Sequence, residues 1–485
     1  MTSDKSDTTI NDGDCIVKDE NKLSSKKKKK SSKKAKDPST LTPEYIEEQR
    51  RLRNIKKEEK RKDRIAKGLD PSQTNDATDL SFIKRDFVPV EDIKNSNDFF
   101  KIKIMTYNVL AQTLIRRSLF PTNGDALKWV TRSKVLLSEI RYYDPTIICL
   151  QELDVVHYKS FWKKEFEDLG YETKFFNASS KTHGVAIVFK TEFFTCLNQS
   201  FINYDKEKTG DITPTADTQN IGLLVHLKLN SGIIEKFPNI KRNGIIIGTS
   251  HLFWHPLGTF ERTRQTYIVL KKFKEFQETL LILSGNENRF YSFFAGDFNS
   301  QPFDPPYLSI VSKPVVYDDR ARALLSPETT EEEVASICKN DGDHNNKSIT
   351  SLKTEPLKLI ENIKMLHNSL DMRAISLYSI AYRHVHPENS GRDNDRNEPM
   401  FSNWAHAWRG LLDYIFIIAP WSRDTDDIAH KIDSLDDISK KQNVKLFSLL
   451  KLPAPEDMGD EPSGQPRIGQ FPSDHLCLMV EIGLC

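Results

Sequence analysis

The stretch YSFFAGDFNSQP, residues 291–302, decides the fold. Its first half is an apolar run of strand composition, and its second half turns polar, delivering Asp297 and Asn299 where the strand ends. Such a run needs no polar tail in order to fold. Side chains at strand ends converge on one rim of a sheet, which is where α/β proteins put their chemistry. Four further motifs repeat the pattern: MTYNVL (105–110), CLQEL (149–153), GTSHLFWHP (248–256) and PSDHL (472–476). They carry Asn108, Glu152, His251 and Asp474–His475 respectively. Carboxylates, amides and histidines gathered on one rim describe a hard-metal, phosphate-cleaving site, so the chain reads as an enzyme.

Outward from these motifs, the text after residue 100 alternates strand-like and helix-like stretches, the pattern of an α/β domain. Strands are expected at 101–108, 146–151, 184–190, 221–229, 244–251, 290–296, 411–418 and 475–482. Helices are expected at 125–143, 157–169, 259–278 and about 357–377. The first helix offers Leu127, Val130, Val135, Leu136 and Ile140 as a core face, with Asp125 placed to favour its N-terminal end. Residues 328–347 and 384–402 are polar and read as surface insertions. No internal repeat is present.

The chain has 485 residues, 38% of them hydrophobic and 29% charged, enough for one large domain or two smaller ones plus a segment that does not form core. No apolar run approaches the ~20 residues of a membrane-spanning helix; the first residues lack the apolar stretch expected of a secretory signal, and their acidic residues argue against a mitochondrial presequence. The six cysteines are scattered without a CxxC pair. With Cys149 and Cys477 inside strand-like runs, buried free thiols and an intracellular address are expected. Charge is unevenly spread: residues 22–67 hold 19 Lys and Arg against 7 Asp and Glu, about +12, within a chain of net charge +1. Residues 1–99 are therefore expected to be a basic arm, disordered at first, then a charged helix over 43–67 and a linker. Residues 100–485 are expected to be the catalytic domain. Polyanion affinity should concentrate in the arm.

Each motif has a plain reading beside the chemical one. Glu152, taken alone, is an exposed strand-end carboxylate or a Mg²⁺ ligand, since magnesium takes one or two carboxylates and completes its shell with water and phosphate. Asn108 is placed like it and binds water, metal or phosphate without adding negative charge. In an extended segment Asp297 and Asn299 share a face while Phe298 packs inward, setting a base beside an amide; a turn favours the same residues. Asp413 lies inside the apolar run LLDYIFII, where a carboxylate is costly unless paired. A dyad with His475 is expected, the alternative being a strand-edge aspartate facing water. His251 and His255 have the spacing of a helical zinc pair, but they follow a β-rich run and precede Pro256, so His251 is assigned to phosphate and His255 to structure. Of the helix-opening arginines, Arg264 is carried forward as a substrate-binding candidate, against the alternative of a solvated side chain. Lys181 in the KTHG loop joins it, against a plain turn. Trp408 and Arg409, with Trp404, offer surfaces for stacking a base, or pack into the core.

Taken in order, Asn108, Glu152, His251, Asp297-x-Asn299, Asp413 and Ser473-Asp474-His475 resemble the endonuclease/exonuclease/phosphatase superfamily. Within it, THGVAI (182–187), HLFWHP (251–256), GDFNSQPFD (296–304), LHNSLDMRAISLYS (366–379) and WRGLLDY (408–414) are similar to the deadenylase-related branch that includes nocturnin and angel-type proteins. The nearest likeness is to yeast Ngl-type RNA exonucleases, from about Lys101 to the C-terminus, and the lysine-rich arm resembles the rRNA-processing member of that group. The resemblance implies an α/β fold built as a two-sheet β-sandwich flanked by helices. It implies a Mg²⁺-dependent phosphodiesterase, with Mn²⁺ as an alternative ion, that trims RNA from 3′ to 5′. Ribosomal RNA precursors, notably the 3′ end of 5.8S, are the implied targets, poly(A) a further one. Pre-ribosomal particles are implied partners, and the nucleus or nucleolus, with the cytoplasm beside it, the implied address. By residue, Glu152 is the main metal ligand, with Asn108 and Asp474 supporting metal, water or phosphate. Asp297 activates the attacking water and Asn299 orients phosphate or nucleophile. His475, oriented by Asp413, stabilises phosphoryl charge, and His251 contacts phosphate. The leucine-rich repeats of the cytoplasmic mRNA deadenylase have no counterpart here, which argues against membership of its complex. Two alternatives stand beside this reading: a hydrolase of a small phosphorylated nucleotide, and a non-catalytic RNA-binding assembly factor whose arm carries the function.

Overall fold

In β2 (Phe100–Asn108), Phe100, Ile102 and Ile104 share one face, and Met105 and Tyr107 lie in a separate cluster on the other. In the neighbouring β3 (Ile147–Asp154), Ile147 and Cys149 join the first cluster and Ile148 and Leu150 the second. Period-two side-chain alternation with both faces buried requires a layer on each side of the sheet. This computed structural model describes residues 81–485 apart from 92–95, 117–119, 121–122, 286–288, 335–353, 392–395, 406–407, 425, 430 and 459–463, with 51, 58 and 62 described singly. Residues 1–80 of the expected basic arm, apart from 51, 58 and 62 in its helix over 43–67, lie outside the described residues, as does most of 328–347.

The remaining strands complete two mixed sheets. One has the order β1 (Phe87–Pro89), β14 (Val444–Leu450), β15 (Leu478–Leu484), β2, β3, β5 (His183–Lys190), β4 (Tyr171–Phe176). The other runs β10 (Met372–Ser376), β13 (Asp413–Pro420), β9 (Phe290–Asp297), β8 (Gly244–Ser250), β7 (Ile221–Leu229), β6 (Phe194–Asn203). Ile102, Ile104, Ile147, Ile187 and Val480 of the first sheet meet Val225, Ile245, Ile247, Phe293 and Ile415 of the second in one apolar core. Helix Trp129–Tyr143 covers the outside of the first sheet through Val135, Leu136 and Ile140. Helix Thr259–Leu283 covers the outside of the second through Ile268, Leu270 and Phe273. The result is a two-sheet sandwich flanked by helices.

Strand direction gathers the motifs. β2 and β3 run parallel, as do β8 and β9, so their C-terminal ends lie at one rim. β13 and β15 run antiparallel to β9 and β2, so their beginnings reach the same rim. A short hairpin, β11 (Asn403–Ala405) with β12 (Trp408–Gly410), sits beside it, bridged to His475 through Asn403.

Several expectations change. Residues from Ser81 onward, expected to be linker, contribute β1, the buried Phe82 and the buried Arg85. Strands β4, β6, β10 and β14 appear where none was expected. Helix Thr354–Ser369 stops eight residues short of 377, and Met372–Ser376 is a strand paired with β13. Val130 is 66% exposed and leaves the core face, while Asp125 lies in the first turn of a short helix, Gly124–Leu127, ahead of helix Trp129–Tyr143, and pairs with Lys128. Residues 384–402 are not a simple surface insertion, for Asn389, Glu398 and Phe401 are buried, and Asn389 donates to the carbonyls of Leu452 and Pro453. Among the described residues no helix is long and apolar enough to cross a membrane, and Cys149 and Cys477 are buried free thiols.

Candidate active site

At the rim, Asn108 ends β2 and its amide Nδ2 bridges the two sheets, donating to Glu152 Oε1 at 3.1 Å and to Asp297 Oδ2 at 2.9 Å. Its Oδ1 accepts from the Leu110 amide, which fixes the side chain. Glu152 stands on an irregularity of the β3–β5 ladder between Leu150 and Leu153, with φ +57. A non-glycine residue in the left-handed region costs of order 1–3 kcal/mol and persists only where the surroundings hold it. Here the strain turns the carboxylate onto the rim, where Oε2 accepts from the Ala111 amide at 2.8 Å.

Asp297 pairs directly with Asp413 across β9 and β13. His475 lies against both: Nδ1 is 2.8 Å from Asp413 Oδ2 and Nε2 is 3.6 Å from Asp297 Oδ2. Ser402 Oγ donates to the same Asp413 oxygen at 2.6 Å, so the expected dyad is present with a hydroxyl that sequence reading missed. Burial alone would push the His475 imidazole down, but Asp413 and Asp297 outweigh it and hold it well above its ordinary value. His251 completes the ring, with Nε2 at 3.6 Å from Asp297 and Nδ1 at 3.9 Å from Glu152.

Asp474 is buried, and burial first, then the field of Glu152, lifts its carboxyl to about 6 against the lowering pull of His475 and Arg132. Arg132, on helix Trp129–Tyr143 and 1% exposed, is a second missed residue. It donates to the carbonyls of Val109, Leu110 and Pro472, tying the Asn108 and Asp474 loops together. Its burial pulls the guanidinium down to about 10, while Asp474, Glu152 and Asp154 pull it back. Asp154 was also missed; it accepts from the Gln112 amide and Thr113 Oγ1, and lies 3.0 Å from His157 Nδ1.

The carboxylates of Glu152 and Asp474, with the Asn108 amide between sheets, suit a small hard cation that keeps most of its waters. Asp297, Asp413 and His475 also bring ligand atoms within 4.8 Å of one another. That trio is better read as an oriented imidazole, because Asp413 Oδ2 is already engaged by His475 and Ser402.

The remaining candidates divide. Lys181 is half-buried; burial lowers its ammonium and Asp205, Asp217 and Glu152 raise it, which sets it in the field of the site. Trp408 is 45% exposed on the hairpin. Arg409 is exposed and stacks over Trp404, which is itself buried. The hairpin backs the loop Ser473–His475, since the Trp404 amide donates to Asp474 O and the Leu476 amide to Ser402 O. Arg264 is corrected: it is 0% exposed, and its guanidinium is held by Glu261 and the carbonyl of Tyr204, so it has no face for substrate. Asn299 is also corrected in geometry. It follows β9 at φ +47, its amide N–H donating to Asp297 Oδ1 and its Nδ2 to Leu252 O, so the turn replaces the expected strand alternation. His255 is structural, accepting from the Leu257 amide through Nδ1.

This geometry has relatives. A model of the Endonuclease/Exonuclease/phosphatase family matches residues 105–475. RNA exonuclease NGL2 of Saccharomyces cerevisiae is 43% identical over 472 residues, covering 93% of this chain and 90% of that protein. A second protein of the same yeast, named "Probable RNA exonuclease NGL3", is 35% identical over 476 residues, covering 92% of this chain and 90% of its own length. A crystal structure of ANGEL2, a 2′,3′-cyclic phosphatase, in complex with adenosine-2′,3′-vanadate shares the fold, with TM-score 0.55 and 20% identity over 83% of this chain and 99% of that one. The chain belongs to the endonuclease/exonuclease/phosphatase family and is a hydrolytic enzyme of its nuclease and phosphodiesterase class, with Ngl-type RNA exonucleases among its homologues.

Proposed function

We propose that this protein is a Mg²⁺-dependent 3′→5′ RNA exonuclease that trims the 3′ ends of ribosomal RNA precursors, the 3′ end of 5.8S rRNA foremost. The observation that carries the catalytic part is the continuous polar chain Asp413–His475···Asp297–Asn108–Glu152, which links both sheets at one rim. The RNA part is supported by the 43% identity to a yeast RNA exonuclease. The rRNA target, pre-ribosomal partners and a nuclear or nucleolar address rest on the lysine-rich arm, residues 1–99 of the proposed two-part organisation, which would add salt-sensitive RNA affinity.

When bound, Mg²⁺ would supply charge neutralisation at the scissile phosphate, with Glu152 as its main ligand and Asn108 and Asp474 beside it. Asp297, held by Asn108 and the Asn299 amide, takes a proton from the attacking water. His475, with its Nδ1–H on Asp413, presents Nε2–H to a phosphoryl oxygen, where negative charge builds. His251 and Lys181 add donors along the phosphate, while Trp408 and Arg409 offer surfaces for a base. Incubating RNA labelled at its 3′ end tests the reading. Release of nucleoside 5′-monophosphates in Mg²⁺ and none in EDTA is expected. Internal fragments, or intact RNA together with phosphate release from a small phosphorylated nucleotide, would overturn it.

A further inference from the structure

Trp254 is the most exposed tryptophan of the chain, at 66%, and lies three residues beyond His251. An indole in water is ordinary on a loose loop, but this loop is clamped. Arg262 Nη1 donates to the carbonyls of Phe253 at 2.9 Å and His255 at 2.6 Å, and Nη2 donates to Thr259 Oγ1 at 3.1 Å. The Phe253 amide donates to Gln265 Oε1 at 3.0 Å, and the Gly258 amide to His255 O at 2.8 Å. A side chain at Gly258 would strike the Phe253 ring at 2.5 Å, so the loop closes tightly under Trp254. At its base the Leu252 amide donates to Asp297 O, and Leu252 O accepts from Asn299 Nδ2. The backbone that carries Trp254 is thus fixed relative to Asp297.

We propose that Trp254 is a nucleobase-stacking platform, a subsite for single-stranded RNA beside the scissile phosphate. The inference rests on the RNA reading above and deepens it. The occupant follows from position: the same clamped segment carries His251, so a strand whose phosphate reaches His251 runs within a nucleotide's length of Trp254. Three extended residues span about 10 Å, within reach of an adjoining nucleotide. Stacking suits this place because a flat aromatic face accepts any base, and the His255 ring packs against the indole at a tilt, centroids 5.4 Å apart and planes at 55°, as a neighbour to that face.

The test uses the full chain carrying Asp297→Ala, so that RNA is bound and not cut, and reads anisotropy of a 5′-labelled single-stranded RNA. Trp254→Ala should weaken binding about tenfold, and Trp254→Phe should recover most of it. Melting should not change, because the indole is outside the core. RNAs with single abasic riboses near the 3′ end should reveal one position at which the Ala variant loses nothing further. Unchanged affinity in Trp254→Ala, or an equal loss on every abasic RNA, overturns the proposal. Trp254-dependent binding with no cleavage by the chain that retains Asp297 would keep the subsite and remove the exonuclease reading. No RNA binding by any form would remove both.

Discussion

Replacing Asp413 by Asn preserves shape and an acceptor for His475 Nδ1 while removing one buried charge. The carboxylate is 1% exposed and 2.8 Å from the imidazole, so little water screens the pair. Coulomb's law with an effective dielectric of about 20 gives roughly 6 kcal/mol of attraction at that distance. Part of this offsets the desolvation of the two groups, and breaking buried pairs costs about 3–5 kcal/mol. If the loss falls on the transition state, where His475 must carry its proton, kcat should fall by about two to four orders of magnitude. Ser402 limits the structural damage, because its hydroxyl can turn to the new amide. The assay is single-turnover cleavage of 5′-labelled RNA in saturating Mg²⁺, with circular dichroism to confirm folding. A folded Asp413→Asn protein within tenfold of wild type would refute the dyad as the source of His475 charge.

Glu152→Gln should raise the Mg²⁺ concentration for half-maximal cleavage by about tenfold or more, and an unaltered Mg²⁺ titration would remove Glu152 as the ligand. Arg264→Met should leave KM for RNA unchanged but lower stability by about 3–5 kcal/mol, because Glu261 would be buried without its partner; a selective rise in KM with normal melting would restore the substrate-binding role. Lys313 is fully buried, and burial lowers its ammonium to about 7. The unfolded side chain keeps its proton to about pH 10.4, so between these values the unfolded state binds more protons. Stability should then rise with pH, at up to about 1.4 kcal/mol per unit from this group. Lys313→Met removes that slope, so urea unfolding should show the variant's advantage shrinking between pH 7 and pH 10. Parallel pH curves would contradict it.

The site was legible where a polar residue interrupts or ends an apolar run. Asn108, Glu152, His251, Asp297, Asp413 and His475 all stand at such points, and strand direction brings them to one rim. What stayed hidden depends on tertiary pairing. Arg132 and Arg264 are both arginines on amphipathic helices, and nothing in local text separates a buried clamp from a solvated side chain. Met372–Ser376 is composed of residues that suit a helix, yet pairing with β13 makes it a strand. β6 (FTCLNQSFIN) lies on a sheet edge, and its text does not alternate polar with apolar, since Leu197 and Phe201 are among its exposed residues, so the period-two signal is weak. The Glu152 and Asn299 backbones visit left-handed conformations that only the assembled rim holds in place. The GDFN segment, for which the text offered strand alternation or a turn, is strand through Asp297, packs Phe298 inward and turns at Asn299.

The most direct measurement is a gel time course on 3′-extended, 5′-labelled RNA in Mg²⁺, comparing wild type with Asp297→Ala. A ladder shortening from the 3′ end in wild type and absent in the variant is the predicted result. An equal ladder in both lanes, or intact RNA in both, would contradict the assignment of an RNA exonuclease whose catalytic base is Asp297.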